Sequence, residues 1–347
     1  MIRKILLCIV LIYTAAWFSI AYTLKGNVVG LIKHSETDNI KITYSQASVS
    51  GFPARWHIKL LEPKIQLING ANSREFSAPA MTFAVHFSLK KASLNFGKEI
   101  KRQEIFPDKS TEYSIRSGED IEFMIKFNKP LYKLSSTDKL ESVIKALRLD
   151  NKSLSMIRQD KEVSSITDLA LLINRIITAG NENISLQLRF LYTGQEEFWN
   201  FKKAKLDLAT VVNIVADQSN REIVVKNFSV NHLNLVCDDH AALEMAGAIE
   251  FFQNKFPLGK LSFELTNYHD VVDKLMSNNP IIPKNMVKHL IEKAVKSSVS
   301  EDVKTDDGEI STYEKIKFDI NFTDTGIQIG TVNLLELNFL HGQEPSN

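Results

Sequence analysis

Apolar residues recur with a period of two along most of this chain, and that pattern restricts it chiefly to strands. Ile40, Ile42 and Tyr44 alternate with polar neighbours, as do Trp56, Ile58 and Leu60. The pattern returns at Met81, Phe83, Val85, Phe87 and Leu89; at Ile121, Phe123, Ile125 and Phe127; and at Ile184, Leu186, Leu188, Phe190 and Tyr192. Later runs are Leu243, Met245, Gly247, Ile249 and Phe251; Leu261, Phe263 and Leu265; and Ile316, Phe318, Ile320 and Phe322. Successive side chains of a strand point to opposite faces, so each run has one apolar and one wet face. Sheets of that kind are usually antiparallel. Turn signals separate the runs at Asn69-Gly70, Ser117-Gly118, Thr193-Gly194 and Thr325-Gly326. The expected fold is mainly β (α+β), with large curved or sandwiched antiparallel sheets and a few packed helices.

Helical signals are fewer. Pro283 to Ser298 has Pro at its start and Met286, Val287, Leu290, Ile291, Ala294 and Val295 on one stripe. Tyr268 to Met276 reads as a short helix before Asn278-Asn279-Pro280. Thr167 to Ala179 and Asp138 to Leu147 are weaker helical candidates. The charged stretch 98–120 is expected to project into solvent, Thr305 to Gly308 to form a loop, and 341–347 to form a tail.

The N-terminus is of another kind. ILLCIVLIYTAAWFSIAYTL, residues 5–24, carries no charge and follows Arg3 and Lys4. At about 1.5 Å per residue such a run measures roughly 30 Å as a helix, the thickness of a bilayer core. Tyr13, Trp17 and Tyr22 lie toward its far half, and such rings favour the membrane interface. The leading basic pair favours a cytoplasmic stub at residues 1–4, with the bulk exported. The expectation is therefore a signal-anchor: a single-pass transmembrane helix at 5–24 and a β-rich domain at 25–340, divisible near 25–195 and 196–340. Residues 25–34 either continue the helix or cap the sheet. A cleaved signal peptide is the competing outcome, because Thr14-Ala15-Ala16 and Ser19-Ile20-Ala21 offer small residues at peptidase spacing. The length of the run, with Trp17 and Phe18 near its end, favours retention.

The balance of 42 basic and 41 acidic residues, net +1, argues against nucleic acid as a partner. With Cys8 in the apolar run and Cys237 the sole other cysteine, no disulfide can form inside the body. Its stability must come from the core, which a chain of 347 residues can supply.

Gly51-Phe52-Pro53-Ala54-Arg55 opens the strand WHIKLLEPKIQL, some 30 residues after the apolar run, and Ser77-Ala78-Pro79 precedes another strong strand. With Phe256-Pro257-Leu258-Gly259-Lys260-Leu261 and Gly326-Ile327-Gln328-Ile329-Gly330, these elements resemble an uncharacterised proteobacterial family catalogued as domain of unknown function 2125. The resemblance covers roughly residues 5–95 and 240–335; Ala54 stands where that family has an aromatic. It implies a bacterial inner-membrane protein with most of its chain in the periplasm, and it assigns no activity or functional residue. The chain also resembles AsmA-type proteins, whose curved sheets carry lipids, as an analogy of fold alone.

Chemical motifs are sparse. Cys237-Asp238-Asp239-His240, with His232, is the densest polar cluster, but its spacing fits neither a paired CxxC nor a helical HxxxH zinc site. The bland reading is a strand end followed by an Asp-Asp turn. Asp302, Asp306, Asp307 and Glu309 lack the register of a calcium loop. Asn-x-Ser/Thr sequons at Asn151, Asn183, Asn227 and Asn321 matter only in a eukaryotic source. There is no nucleophile elbow, Walker loop or dinucleotide fingerprint. The expectation is a non-enzymatic protein without metal or cofactor. Its partners would be the bilayer and a lipid or other amphiphile held in an apolar groove of the sheet. Phe52, Arg55, Phe83 and Phe87 are the candidate ligand-facing residues. The alternative is a scaffold or accessory subunit for envelope proteins, docked through a sheet edge or the segment 98–120.

Overall fold

The computed structural model describes residues 2–53, 55–107, 109–133, 143–178, 181–195, 201–217, 222–238, 240–252, 256–276, 284–295, 299–304, 310–330 and 332–333. The architecture is mainly β, with long antiparallel ladders and three described helices. The chain divides into two compact units, Met1–Ile173 and Asn174–Asn347.

In the first unit most long strands are broken near their middle. β1 (Ile40–Thr43) and β2 (Gln46–Ser50) form one such pair, followed by β3 (Trp56–Leu61) with β4 (Lys64–Asn69). Next come β5 (Asn72–Ser77) with β6 (Ala80–Val85), β7 (Lys91–Asn95) with β8 (Glu99–Ile105), and β9 (Ser110–Ser117) with β10 (Glu122–Phe127). β2, β3, β6, β7 and β10 pair in that order as one ladder. β1, β4, β5, β8 and β9 pair as a second. Unbroken β11 (Ile144–Arg158) pairs with β10 along its first half and with β9 along its second, uniting the two ladders.

Local chemistry explains the crease. Pro63 and Pro79 have no N–H to give a ladder, so pairing stops beside them. Glu62 N–H donates to Pro79 O at 3.1 Å and Ala78 N–H to Pro63 O at 3.2 Å, closing the gap. Where β11 crosses the crease, buried Asn151 donates to Ser117 Oγ at 3.0 Å and accepts from Ser153 N–H at 3.0 Å.

Helix α1 (Ile2–His34) extends ten residues past Leu24, the expected end of the run. From Trp17 onward it is a core helix. Trp17, Ala21, Leu24, Val28 and Leu31, a stripe of spacing four and three, are buried against Trp56, Ile58, Phe83, Val85, Ala92, Ile125, Phe127, Leu131 and Val143. The Asn27 side chain donates to Leu131 O at 2.9 Å. Upstream, Val10, Leu11, Ile12 and Tyr13 are exposed. Among the described residues, no helix is long and apolar enough to cross a membrane.

Two expectations are corrected in this unit. The stretch 98–120 does not project: β8 and β9 are interior strands, bonded on both sides. Its charges pair across the ladder, Lys101 with Glu112 at 3.5 Å and Arg116 with Glu99 at 3.3 Å, which gives a strand a loop-like composition. The helix considered at Thr167 to Ala179 is instead part of β12 (Lys161–Thr178), with Ala179 outside the described residues. Its β-branched Ile166, Thr167, Ile173, Ile176 and Ile177 suit a pleated surface. Of the candidate at 138–147, Val143 is helical, Ile144 onward is β11, and 138–142 lie outside the described residues.

In the second unit β13 (Asn181–Gly194), β14 (Lys203–Asp217), β15 (Glu222–Cys237), β16 (Ala241–Glu250), β17 (Leu258–Thr266) and β19 (Ile310–Thr323) form successive antiparallel pairs. β18 (Val299–Lys304) and β20 (Gly326–Ile329) also pair with β19, and β21 (Val332–Asn333) with β20. The two expected helices are α2 (Tyr268–Met276) and α3 (Lys284–Ala294). Residues 305–308 and 341–347 lie outside the described residues.

Candidate functional site: an uncovered apolar face and an aromatic loop end

The register of the second unit sets apolar side chains in rows across six strands. One row is Leu188, Leu208, Leu233, Met245, Phe263 and Phe318; another is Ile184, Val212, Phe228, Ile249, Gly259 and Phe322. Between them lie Leu186, Thr210, Val230, Gly247, Leu261 and Ile320. A bulge in β15, where Val230 follows Leu233 in the pairing, keeps Phe228 and Val230 on the same side as Leu233 and Leu235. Without it those side chains would turn to the wet face.

This face is incompletely covered. Tyr268, Val271 and Val272 of α2 are buried at one end of the sheet, where Leu265 and Ile316 are buried too. Farther along, Val230, Ile249 and Leu261 are buried among their neighbours. Leu188, Leu208, Leu233, Met245, Phe263 and Phe318 are only partly buried, as are Ile184, Val212, Phe228 and Phe322. Phe263 and Phe318 stack at 5.2 Å with rings nearly parallel. From the Phe318 row to the Phe322 row the patch runs roughly 13 Å and, across six strands, roughly 24 Å. That footprint of about 300 Å² includes the buried Val230, Ile249 and Leu261, so only part of it is apolar surface open to solvent.

The opposite face is charged and internally paired. An open depression there is lined by Lys205, Asp207, His232, Glu244, Glu264 and Lys317, among others. His232 meets Asp207 at 2.9 Å, Lys317 meets Glu264 at 2.7 Å and Lys260 meets Asp319 at 2.8 Å. Among the described residues no group of three or more His, Cys, Asp or Glu is placed to hold a metal.

The Cys237 cluster is part of the scaffold. Burial, then the neighbouring Asp238 carboxylate, pushes the Cys237 thiol up to about 11. Asp238 accepts from Lys202 N–H at 2.8 Å and Lys203 N–H at 2.9 Å and pairs with Lys274 of α2. Burial alone would raise its carboxyl, but the Lys274 ammonium and the two N–H groups outweigh that and hold it below the ordinary value. His240 meets Asp270 at 3.2 Å, and Asp239 lies outside the described residues. Asp238→Ala is expected to lower the second unit's stability at pH 7 by about 1.5–3 kcal/mol, the typical worth of charge-assisted bonds. Because the folded pKa is depressed, this contribution is present above the ordinary carboxyl value near 3.8. It fades as pH falls through the lower folded value. Urea titrations at pH 7 and pH 3 should therefore show a smaller difference between wild type and variant at the acid pH.

The four candidate ligand-facing residues part company. Phe83 is 9% exposed, lies beneath α1 and meets Phe127 edge-on at 6.3 Å. Phe52, Arg55 and Phe87 lie at the loop end of the first unit, where Phe52 is 47% and Phe87 63% exposed. Phe52 and Phe87 belong to an aromatic cluster with the helix: Phe52 meets Tyr13 (6.2 Å), Trp17 (5.3 Å) and Phe18 (6.2 Å). Trp56 stacks on Trp17 at 6.4 Å and meets Phe87 at 5.7 Å. The Tyr13 hydroxyl donates to Pro53 O at 2.6 Å, beyond a cis Phe52–Pro53 peptide. Gly51 has φ +102, and a Cβ there would lie 2.6 Å from Arg55 O, so the turn requires glycine.

Sequence reasoning identified Phe263 and Phe318 as strand residues but not as one surface. The face emerges only once six strands are in register. Comparison with known proteins finds no matching family and no significantly similar curated protein or solved structure.

Proposed function

We propose that this is a membrane-held protein of the bacterial periplasm that binds the acyl part of a lipid, or a similar amphiphile, along the partly exposed apolar face of the second unit. It acts as a binder and not as an enzyme. The single observation carrying this reading is the partly exposed rows running from Leu188 to Phe318 and from Ile184 to Phe322. Leaving such a face in water forgoes about 25 cal/mol for every Å² that an acyl chain would cover. The uncharged run at 5–24 supports anchoring, and the resemblance to the proteobacterial family supports the inner membrane as its location.

Photocrosslinking tests the reading. Cells expressing the full chain are fed a photoreactive fatty acid, irradiated, and the adducts mapped by mass spectrometry. Adducts are expected on β16, β17 and β19 around Met245, Phe263 and Phe318. Met245→Glu with Phe318→Glu should reduce them about tenfold or more, since a carboxylate cannot be buried unpaired against an acyl chain. Adducts confined to α1 would refute acyl binding by the sheet.

A further inference from the structure

We propose that the loop end of the first unit is itself a membrane-docking surface, seated in the headgroup region of an anionic bilayer. This inference uses the anchoring of α1 proposed above but not the acyl-binding face.

The first observation is a shortfall in length. The apolar run begins at Ile5, yet the helix is committed to the sheet from Trp17. From Ile5 to Ala16 the helix rises roughly 18 Å at about 1.5 Å per residue. A hydrocarbon core is about 30 Å thick. The remainder must come from the next turns of α1, which enter the membrane only if the sheet end packed on them enters too.

The second observation is that this end is built for that depth. On α1, Phe18 and Tyr22 point away from the core and are exposed. Beside them stand Phe52 of the β2–β3 loop and Phe87 of the β6–β7 loop, with Tyr132 exposed in the 3-10 turn Leu131–Lys133. The three loops come together: Leu131 N–H donates to Leu89 O at 2.7 Å, and Phe87 packs edge-on against Trp56, at the end of the β2–β3 loop, at 5.7 Å. Tyr22 and Tyr132, each with one apolar and one polar end, are of the kind that concentrates at this level of a bilayer, and the Phe rings beside them add apolar surface.

The third observation is charge. The described residues of these loops, from Gly51 to Arg55, His86 to Lys91 and Asn128 to Lys133, carry Arg55, Lys90, Lys91, Lys129 and Lys133 and no carboxylate. Arg55, Lys90, Lys91 and Lys133 are exposed. The chain as a whole is nearly neutral, at net +1, so five basic residues without a carboxylate among the described residues of these loops are a local arrangement. It complements anionic lipid headgroups.

Depth-resolved fluorescence quenching tests the docking surface in the full chain. Cys8→Ala removes the helix thiol, and Cys237 stays buried. Single cysteines are introduced as Phe87→Cys, Leu11→Cys and Ala71→Cys, the last in the β4–β5 turn of the other ladder. Each is labelled with an environment-sensitive dye in vesicles of phosphatidylcholine with and without phosphatidylglycerol. The Phe87→Cys label is expected to be quenched several-fold by shallow nitroxide lipids, more strongly with phosphatidylglycerol. The Leu11→Cys label should respond to deep nitroxides and the Ala71→Cys label to neither. Arg55→Glu, Lys90→Glu and Lys91→Glu together should abolish the dependence on phosphatidylglycerol at Phe87→Cys. An unquenched Phe87→Cys label beside a quenched Leu11→Cys label overturns the docking surface and leaves the anchor standing. Quenching at Phe87→Cys without Leu11→Cys supports docking and removes the anchor. Quenching of Ala71→Cys as strong as that of Phe87→Cys, or indifference to phosphatidylglycerol, also overturns the proposal.

Discussion

A chain shortened to begin at Tyr22 is expected to unfold its first unit at a much lower urea concentration than the full chain. Trp17, buried at 4% exposure, and Ala21 would be missing from the stripe that seals Trp56, Ile58 and Val85. Removing a buried Trp costs about 3–5 kcal/mol in most cores. Whole domains are held by only about 5–15 kcal/mol. A chain beginning at Leu11 keeps the entire stripe and should match the full chain. Tryptophan fluorescence in the same detergent reads both, because Trp56 loses its stacked partner only in the shorter one. Equal urea midpoints would show that the Trp17 contacts contribute nothing. The expected outcome bears on processing: a peptidase cutting after Ala21 would remove the buried Trp17 and Ala21 from the core.

The second large effect is expected at Gly247. Its φ is +140, and a Cβ there would lie 2.1 Å from Lys260 O and 2.9 Å from Leu261 Cα. Both obstacles are backbone of the neighbouring strand and cannot swing aside. Gly247→Ala should therefore cost at least about 1–3 kcal/mol in backbone strain, and Gly247→Val more. Ala246→Ser, one residue away on the exposed face, should change stability by less than about 0.5 kcal/mol. Thermal or urea unfolding compares the three. A Gly247→Ala variant as stable as wild type would mean that β16 and β17 can separate without loss, and the close approach would then have no structural weight.

Much of the fold was legible because it rests on local patterns. The alternation at Trp56–Leu60, Met81–Val85, Leu243–Ile249 and Ile316–Phe322 falls on β3, β6, β16 and β19. The stripe that pointed to α3 survives as buried Ile291. The features that were missed have physical causes. In a run as uniformly apolar as 5–24, every face is apolar, so the buried stripe through Trp17, Ala21 and Leu24 leaves no periodic trace. In β8 and β9, cross-strand ion pairs gave the strands the composition of a loop. β15 hid its alternation behind bulges at Asn231 and Lys226, each reversing the parity of the residues beyond it. Phe83 and Phe87 sit four apart in one run, yet β6 ends at Val85, so one closes the core and the other stands beyond the strand. The apolar face depends on register between β13 and β19, more than a hundred residues apart, which local periodicity does not encode.

Helix α1 is made before the residues that cover it, and the last of these are made late. Asn27 bonds to Leu131, 104 positions later, and Val143 lies farther still. At roughly 5–20 residues per second, translation needs on the order of 5–20 s to deliver them. For that interval the stripe from Trp17 to Leu31 is only partly covered, and the first unit closes only when its last contributor arrives. A ribosome stalled before Val143 would strand a nascent chain whose strands are largely complete but whose central helix has nothing finished to lie on.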